Sequence, residues 1–227
     1  MDLYCTSQLS QIEGIKALVY GQAGIGKTSL IPTCESPIII SAEKGLESIS
    51  NHQIPYFIVN SWADFMNALH YLYSNQGQFK TIVVDSLSQI SSMLFNEQKR
   101  VCFTRSGAPD TLAAYRVVGE MMREVIDLWF RQYLAQYHIV AFAKLDKTED
   151  DTQKIMYAPL FVGKATGLEA VHAFDLVGAM RQKHDKSRYI MTESDGMWQA
   201  KHRSPYDIGG EHEPHIQKLF NKIRGVQ

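Results

Sequence analysis

The chain has 227 residues, 45% of them hydrophobic and 21% charged, with a formal net charge of −1. That suits one α/β domain with its own core and excludes a global electrostatic pull toward nucleic acid, so any nucleic-acid site has to be local. Cys5, Cys34 and Cys102 are odd in number and far apart, which gives neither a disulfide framework nor a zinc cluster. Together with an opening Met1-Asp2-Leu3-Tyr4-Cys5 that lacks a basic patch, and with no membrane-length apolar run, this leads us to expect a cytoplasmic chain with no membrane partner.

The first element expected is a strand over 15–20, which enters Gly21-Gln22-Ala23-Gly24-Ile25-Gly26-Lys27-Thr28. Glycine, four residues, then Gly-Lys-Thr is the pattern of a phosphate-binding loop, and a helix starting at Ser29-Leu30-Ile31 would complete its context. Glycines bring backbone N–H groups close to an anion, and a helix start adds unpaired donors. Gly21 to Ser29 are therefore the candidate nucleotide contacts. Lys27 would reach the β and γ phosphates, and the Thr28 hydroxyl would face Mg2+.

Pro37-Ile38-Ile39-Ile40-Ser41 is the pattern of a buried parallel strand that delivers Glu43 to a strand end, where open α/β sheets place their chemistry. Glu43 is thus a candidate catalytic residue, against the plainer reading of a solvated turn acid. A third strand is expected at 56–59. A helix capped by Asn60 or Ser61 should follow, with Phe65, Ala68, Leu69 and Leu72 on its apolar stripe. Thr81-Ile82-Val83-Val84-Asp85 is an apolar strand ending in a carboxylate. Placed behind a phosphate loop, Asp85 is the candidate second Mg2+ ligand, and Ser86 either assists it or caps the helix over 87–97.

Lys99 to Asp110 loses periodicity and mixes three basic residues with Phe103, so it is either a phosphate-and-base contact or an ordinary loop. Asp110 or Thr111 should cap a long helix to about Tyr133. A buried strand over 138–143 ends at Lys144, which is either a γ-phosphate sensor, a DNA contact or a surface lysine. Leu145 to Lys164 reads as a mobile loop. Short strands at 173–180, 187–191 and 197–200 follow, and then Lys201-His202-Arg203. Lys201 and Arg203 share one side of an extended chain. They could reach phosphates in their own site or across a subunit boundary, or form a solvated edge. Pro214 starts a last helix, about 213–224, and His212 and His215 read as surface histidines.

This set of motifs resembles the RecA/Rad51-core ATPases, and within them the small phage-encoded single-strand annealing or recombination members. The resemblance covers about 14–203 of what is expected to be a single domain over 1–227. Gly21 to Thr28 match the phosphate loop. Ser41-Ala42-Glu43-Lys44-Gly45-Leu46 resembles an Asp-x-Glu-x-Gly-Leu segment with Ser41 in place of the aspartate. Ile82 to Ser86 resemble the metal-binding strand, and Phe174-Asp175-Leu176-Val177 with Lys201-His202-Arg203 resemble a late Asp-x-Val strand and Lys-x-Arg end.

The resemblance implies a RecA-like α/β P-loop core with a mostly parallel sheet and a C-terminal antiparallel extension. It implies ATP and Mg2+ as cofactors, and Glu43, Lys27, Lys201 and Arg203 as catalytic groups. The implied partners are single-stranded DNA, further copies of the chain in a filament or ring, and a single-strand-binding protein. The two DNA-contacting loops would fall near 99–110 and 145–164. A helicase loader, a replication helicase or packaging motor, and a nucleotide-gated scaffold share Lys27, Thr28 and Asp85 and are the alternatives.

Overall fold

A computed structural model describes residues 14–149 and 153–226. The opening Met1 to Cys5 and the acids Asp150 and Asp151 lie outside the described residues. The sequence alternates strands with amphipathic helices, and the consequence is an open sheet covered on both faces.

Its parallel part contains β1 (Lys16–Gly21), β2 (Pro37–Ser41), β3 (Tyr56–Ile58), β4 (Thr81–Asp85), β5 (His138–Glu149) and β7 (Leu176–Gln182), in the spatial order β3-β2-β4-β5-β1-β7. Three short strands extend it antiparallel at the late-chain edge. These are β8 (Arg188–Met191) on β7, β9 (Lys201–His202) on β7, and β10 (Glu211–His212) on β8.

Alternation along the central strands divides the core. Leu18, Tyr20, Ile40, Ile82, Val84 and Ile139 face one side, and Ala17, Val19, Ile39, Val83 and Phe142 face the other. The first side is covered by α1 (Trp62–Ser74), α2 (Leu87–Gln98), α3 (Thr111–Glu124) and α4 (Lys164–Ala173). The second side is covered by the turns after β1 and β2 and by α5 (Ile216–Arg224).

The expected caps are present. The Ser61 hydroxyl accepts from the Asp64 N–H at 3.1 Å, and the Asp110 carboxylate accepts from Ala113 N–H at 2.9 Å. Phe65, Ala68, Leu69 and Leu72 of α1 are all buried, as their spacing requires.

Five expectations change. The strand expected over 197–200 is only a bridge at Trp198, and the strand forms at Lys201–His202 instead. The segment after the phosphate loop is a six-residue 3-10 helix, Thr28–Thr33, because Pro32 lies inside it and cannot donate to a carbonyl one α-turn back. Where a loop is expected over 145–164, the described residues are mostly strand. β5 runs on to Glu149, returns as β6 (Ile155–Pro159), and is followed by α4.

The long helix changes winding after Glu124 and continues as a π-helical stretch, Val125–Tyr133. His212 is buried, with Nε2 3.0 Å from the Thr192 hydroxyl. The His215 ring nitrogen receives the Lys218 N–H at 3.4 Å and caps α5.

At the entry end of the sheet, the buried Lys16 ammonium donates to the carbonyls of Gly14, Ala135 and Tyr137, each at 2.8 Å. Beside it, His138 is 8% exposed, accepts the Ile15 N–H at Nδ1 and stacks on Phe220 at 4.7 Å. Burial, then the charges of Arg224 and Lys16, pushes its imidazole down to about 4.

Because the unfolded chain takes up this proton first, stability is full above about pH 6.5 and falls as pH drops toward 4. His138 should contribute about 3 kcal/mol to that fall, and His138→Asn should flatten it. Denaturant melts of both proteins at pH 7.5, 5.5 and 4.5 check this, and identical pH slopes would remove His138 as the cause.

Candidate nucleotide site

Every parallel strand exits at one edge, and Lys27, Thr28, Glu43 and Asp85 meet there. Gly21 lies level with Lys144 of β5, and Ser41 lies level with Asp85 across the β2–β4 pair. β5 stands between the strand that carries the phosphate loop and the strand that carries Asp85. Lys144 is therefore set between the two arms of the site.

The loop turns on Gly24 and Gly26, whose φ values of 75° and 100° lie in the left-handed region that a side chain disfavours. Ile25 is buried and anchors the loop in the second core, while Gln22, Ala23 and Gly24 stay exposed.

The Lys27 ammonium donates to the loop's own carbonyls at Gly21 (2.9 Å) and Gln22 (3.0 Å). Burial pushes its pKa below the ordinary lysine range, opposed by the charges of Asp85 and Glu43. The Thr28 hydroxyl donates to Asp85 Oδ2 at 3.0 Å. Burial, with a smaller push from Glu43, raises the Asp85 carboxyl to about 6 against that hydrogen bond.

Glu43 accepts a short hydrogen bond from the Ser86 hydroxyl, and its Oε1 lies 3.3 Å from Lys144 Nζ. Lys144 also donates to Gln89 Oε1 at 3.1 Å, and its backbone N–H donates to the Ser88 hydroxyl at 2.8 Å. Glu43 is thus held by two side chains from two other elements, which fits a positioned group better than a solvated turn acid. Ser86 does both things expected of it, since it also accepts the Gln89 N–H as the cap of α2.

Thr28 and Asp85 form a donor set made only of oxygens. That suits a hard cation which keeps most of its water, as Mg2+ does. Among the described residues no group of three or more His, Cys, Asp or Glu side chains is arranged to hold a metal.

Lys201 and Arg203 are not brought to this edge. Lys201 pairs with Val177, and the Arg203 N–H donates to the Asp175 carbonyl, so both sit at the entry end of β7. At strand rise that is about 15 Å from the loop of the same chain. Lys201 Nζ and Arg203 Nη2 both donate to the His172 carbonyl, at 2.9 and 2.6 Å, and Arg203 also pairs with Asp175 at 3.3 Å. Burial, then the charges of Arg203 and Arg131, pushes the Lys201 ammonium below its ordinary range. The structure also adds Arg188, whose guanidinium lies against Gly26. No motif marks it, because β8 reaches the loop only across β7.

Fold and site together define a P-loop nucleoside triphosphatase domain. The model of AAA_24, an AAA domain, matches residues 13–204, and the chain belongs to that family. A similar protein is the SPbeta prophage-derived uncharacterized protein YorG of Bacillus subtilis (strain 168), 32% identical over 80 residues. Those residues are 34% of this chain and 24% of that protein, so the match spans about a quarter of the relative's length. Among the described residues no helix is long and apolar enough to cross a membrane.

Proposed function

We propose that the chain is a Mg2+-dependent ATPase of RecA/Rad51 type that acts on single-stranded DNA in phage recombination or strand annealing. The observation that carries the ATPase half is the placement of Glu43, fixed by Ser86 and Lys144 at the edge where Lys27, Thr28 and Asp85 meet.

In this reading the loop N–H groups and Lys27 hold the phosphates. Thr28 and Asp85 hold Mg2+, which neutralises phosphate charge when bound. Glu43 orients the attacking water in line with the γ phosphate and takes its proton. Lys144, bridging Glu43 and Gln89, keeps that carboxylate aimed.

The DNA half rests on two surfaces. β5 and β6 form a hairpin that continues straight on from Lys144, so it starts where the site ends. The segment over 99–110 folds back through a Phe103–Pro109 bridge and leaves Val101 and Phe103 largely exposed among Lys99, Arg100 and Arg105. An exposed ring among cations stacks a base and neutralises phosphate. Lys201 and Arg203, too far from their own loop, serve the site of a neighbouring copy in a filament or ring. The prophage relative supports the phage setting.

Fluorescence anisotropy with single-stranded DNA, with and without ATP, tests the DNA half. Binding should strengthen with ATP, weaken steeply as salt rises, and drop about tenfold in Phe103→Ala. No binding in either state at low salt, with ATP turnover intact, would leave a P-loop ATPase of another role, such as a loader, motor or scaffold.

A further inference from the structure

Four Lys or Arg side chains lie on the β7–β8 hairpin, Arg181, Lys183, Lys186 in the turn and Arg188, and the first two are paired. Arg181 Nη1 lies 3.1 Å from Asp195, and Lys183 Nζ lies 2.7 Å from Glu211. Arg188 is different. Among the described residues its guanidinium makes no hydrogen bond or ion pair.

Its position explains where it points. Arg188 sits level with Gln182 at the exit end of β7, and Ile190, two residues on, is level with Met180. Alternation puts Arg188 on the face that carries the phosphate loop, the face to which Ile190, Met180 and Ile25 belong. The side chain crosses the end of β7 and lies on the outer surface of Gly26. A methyl group built on Gly26 would collide with the guanidinium, whose Cζ would stand 3.2 Å away. A planar cation with five donors is thus placed, unpaired and exposed, on the glycine that precedes Lys27.

We propose that Arg188 is a phosphate clamp: it closes over the loop in cis and donates to the phosphate chain of the bound nucleotide. The proposal rests on the nucleotide reading above and extends it. An unpaired guanidinium breaks no protein contact when it turns to an anion, and a fork that takes phosphate oxygens in pairs is the strongest use of this side chain. Lys27 reaches the phosphates from within the loop, and Arg188 reaches them from the neighbouring hairpin. The β7–β8 hairpin thereby becomes part of the site and feels whether nucleotide is present. The clamp acts on ground-state binding, so its removal should raise KM far more than it lowers kcat.

Isothermal titration with ATP and with ADP, on the full chain, tests this in wild type, Arg188→Ala, Arg188→Gln, Arg188→Lys and Lys27→Ala, alongside turnover. Arg188→Ala and Arg188→Gln should each weaken both nucleotides about tenfold with little change in kcat, and Arg188→Lys should recover part of the loss. Thermal melts should be unchanged, because the side chain is exposed.

Wild-type affinity in both Arg188→Ala and Arg188→Gln, while Lys27→Ala loses binding, would overturn the clamp and leave the nucleotide site standing. Tighter binding in Arg188→Ala would overturn it too, by showing a plug instead. A wild-type chain that binds neither nucleotide would overturn the nucleotide reading and the clamp together.

Discussion

Replacing Lys27 with alanine should lower kcat/KM for ATP by at least about 100-fold, the scale expected when one preorganised cation or donor is taken from a site of developing charge. The same change should leave the free protein standing. Lys27 is only half-buried, and of the two carbonyls its ammonium donates to, that of Gln22 belongs to an exposed stretch that water can reach. Burial already disfavours its charge, so the folded chain holds this cation at a cost that a phosphate would offset. The expected pattern is a melting temperature within a few degrees of wild type beside nearly absent turnover and ATP affinity. Calorimetric binding and a thermal melt on one sample read both. Unchanged affinity and turnover would show that the glycine loop does not hold the nucleotide.

Glu43→Gln should separate binding from chemistry. Glutamine keeps the length and the acceptor oxygen that Ser86 donates to, so the local fold should survive. It cannot accept a proton from water, and loss of a general base costs about 10²- to 10⁴-fold in rate. The expected result is kcat down by about 100-fold or more with the ATP dissociation constant changed less than a few-fold. Single-turnover hydrolysis and direct titration distinguish the two quantities. Turnover within a factor of about two of wild type would remove Glu43 from catalysis and pass the role of water activation to another group at the same edge. The variant also loses the charge that Lys144 faces at 3.3 Å. Lys144→Ala made in the same background should therefore add little, since the lysine acts through the glutamate.

Much of the site is local chemistry, which is why the sequence shows it. Gly21 to Thr28 are consecutive, Asp85 ends its own strand and Glu43 follows its own, so each motif is complete within a few residues. The parallel strands were legible for a related reason. Ile38 to Ile40 and Ile82 to Val84 are buried on both faces and so are continuous apolar runs.

What was not legible depends on partners far along the chain. The strands over 145–149 and 155–159 have no clean alternation, since beyond the sheet neither face is fully covered. Their order comes from pairing with each other and from Tyr157 stacking on Trp198 at 4.4 Å. His212 gives no sign of burial until β10 lies beside β8.

By itself, then, the amino-acid sequence determined the strand–loop–helix-like entry, the phosphate-loop motif that carries Lys27 and Thr28, the apolar strand that ends in Asp85, and the alternating α/β plan. Those depend on backbone conformation, side-chain type and short spacings, all of which are properties of a few neighbouring residues. Only the tertiary structure decided that Glu43 is fixed by Ser86 and Lys144, that Lys201 and Arg203 lie at the far end of the sheet from their own loop, and that Arg188 lies on Gly26. Those positions are set by strand order and register. A shift of one strand in order moves a side chain by about 5 Å, and no spacing along the chain records it.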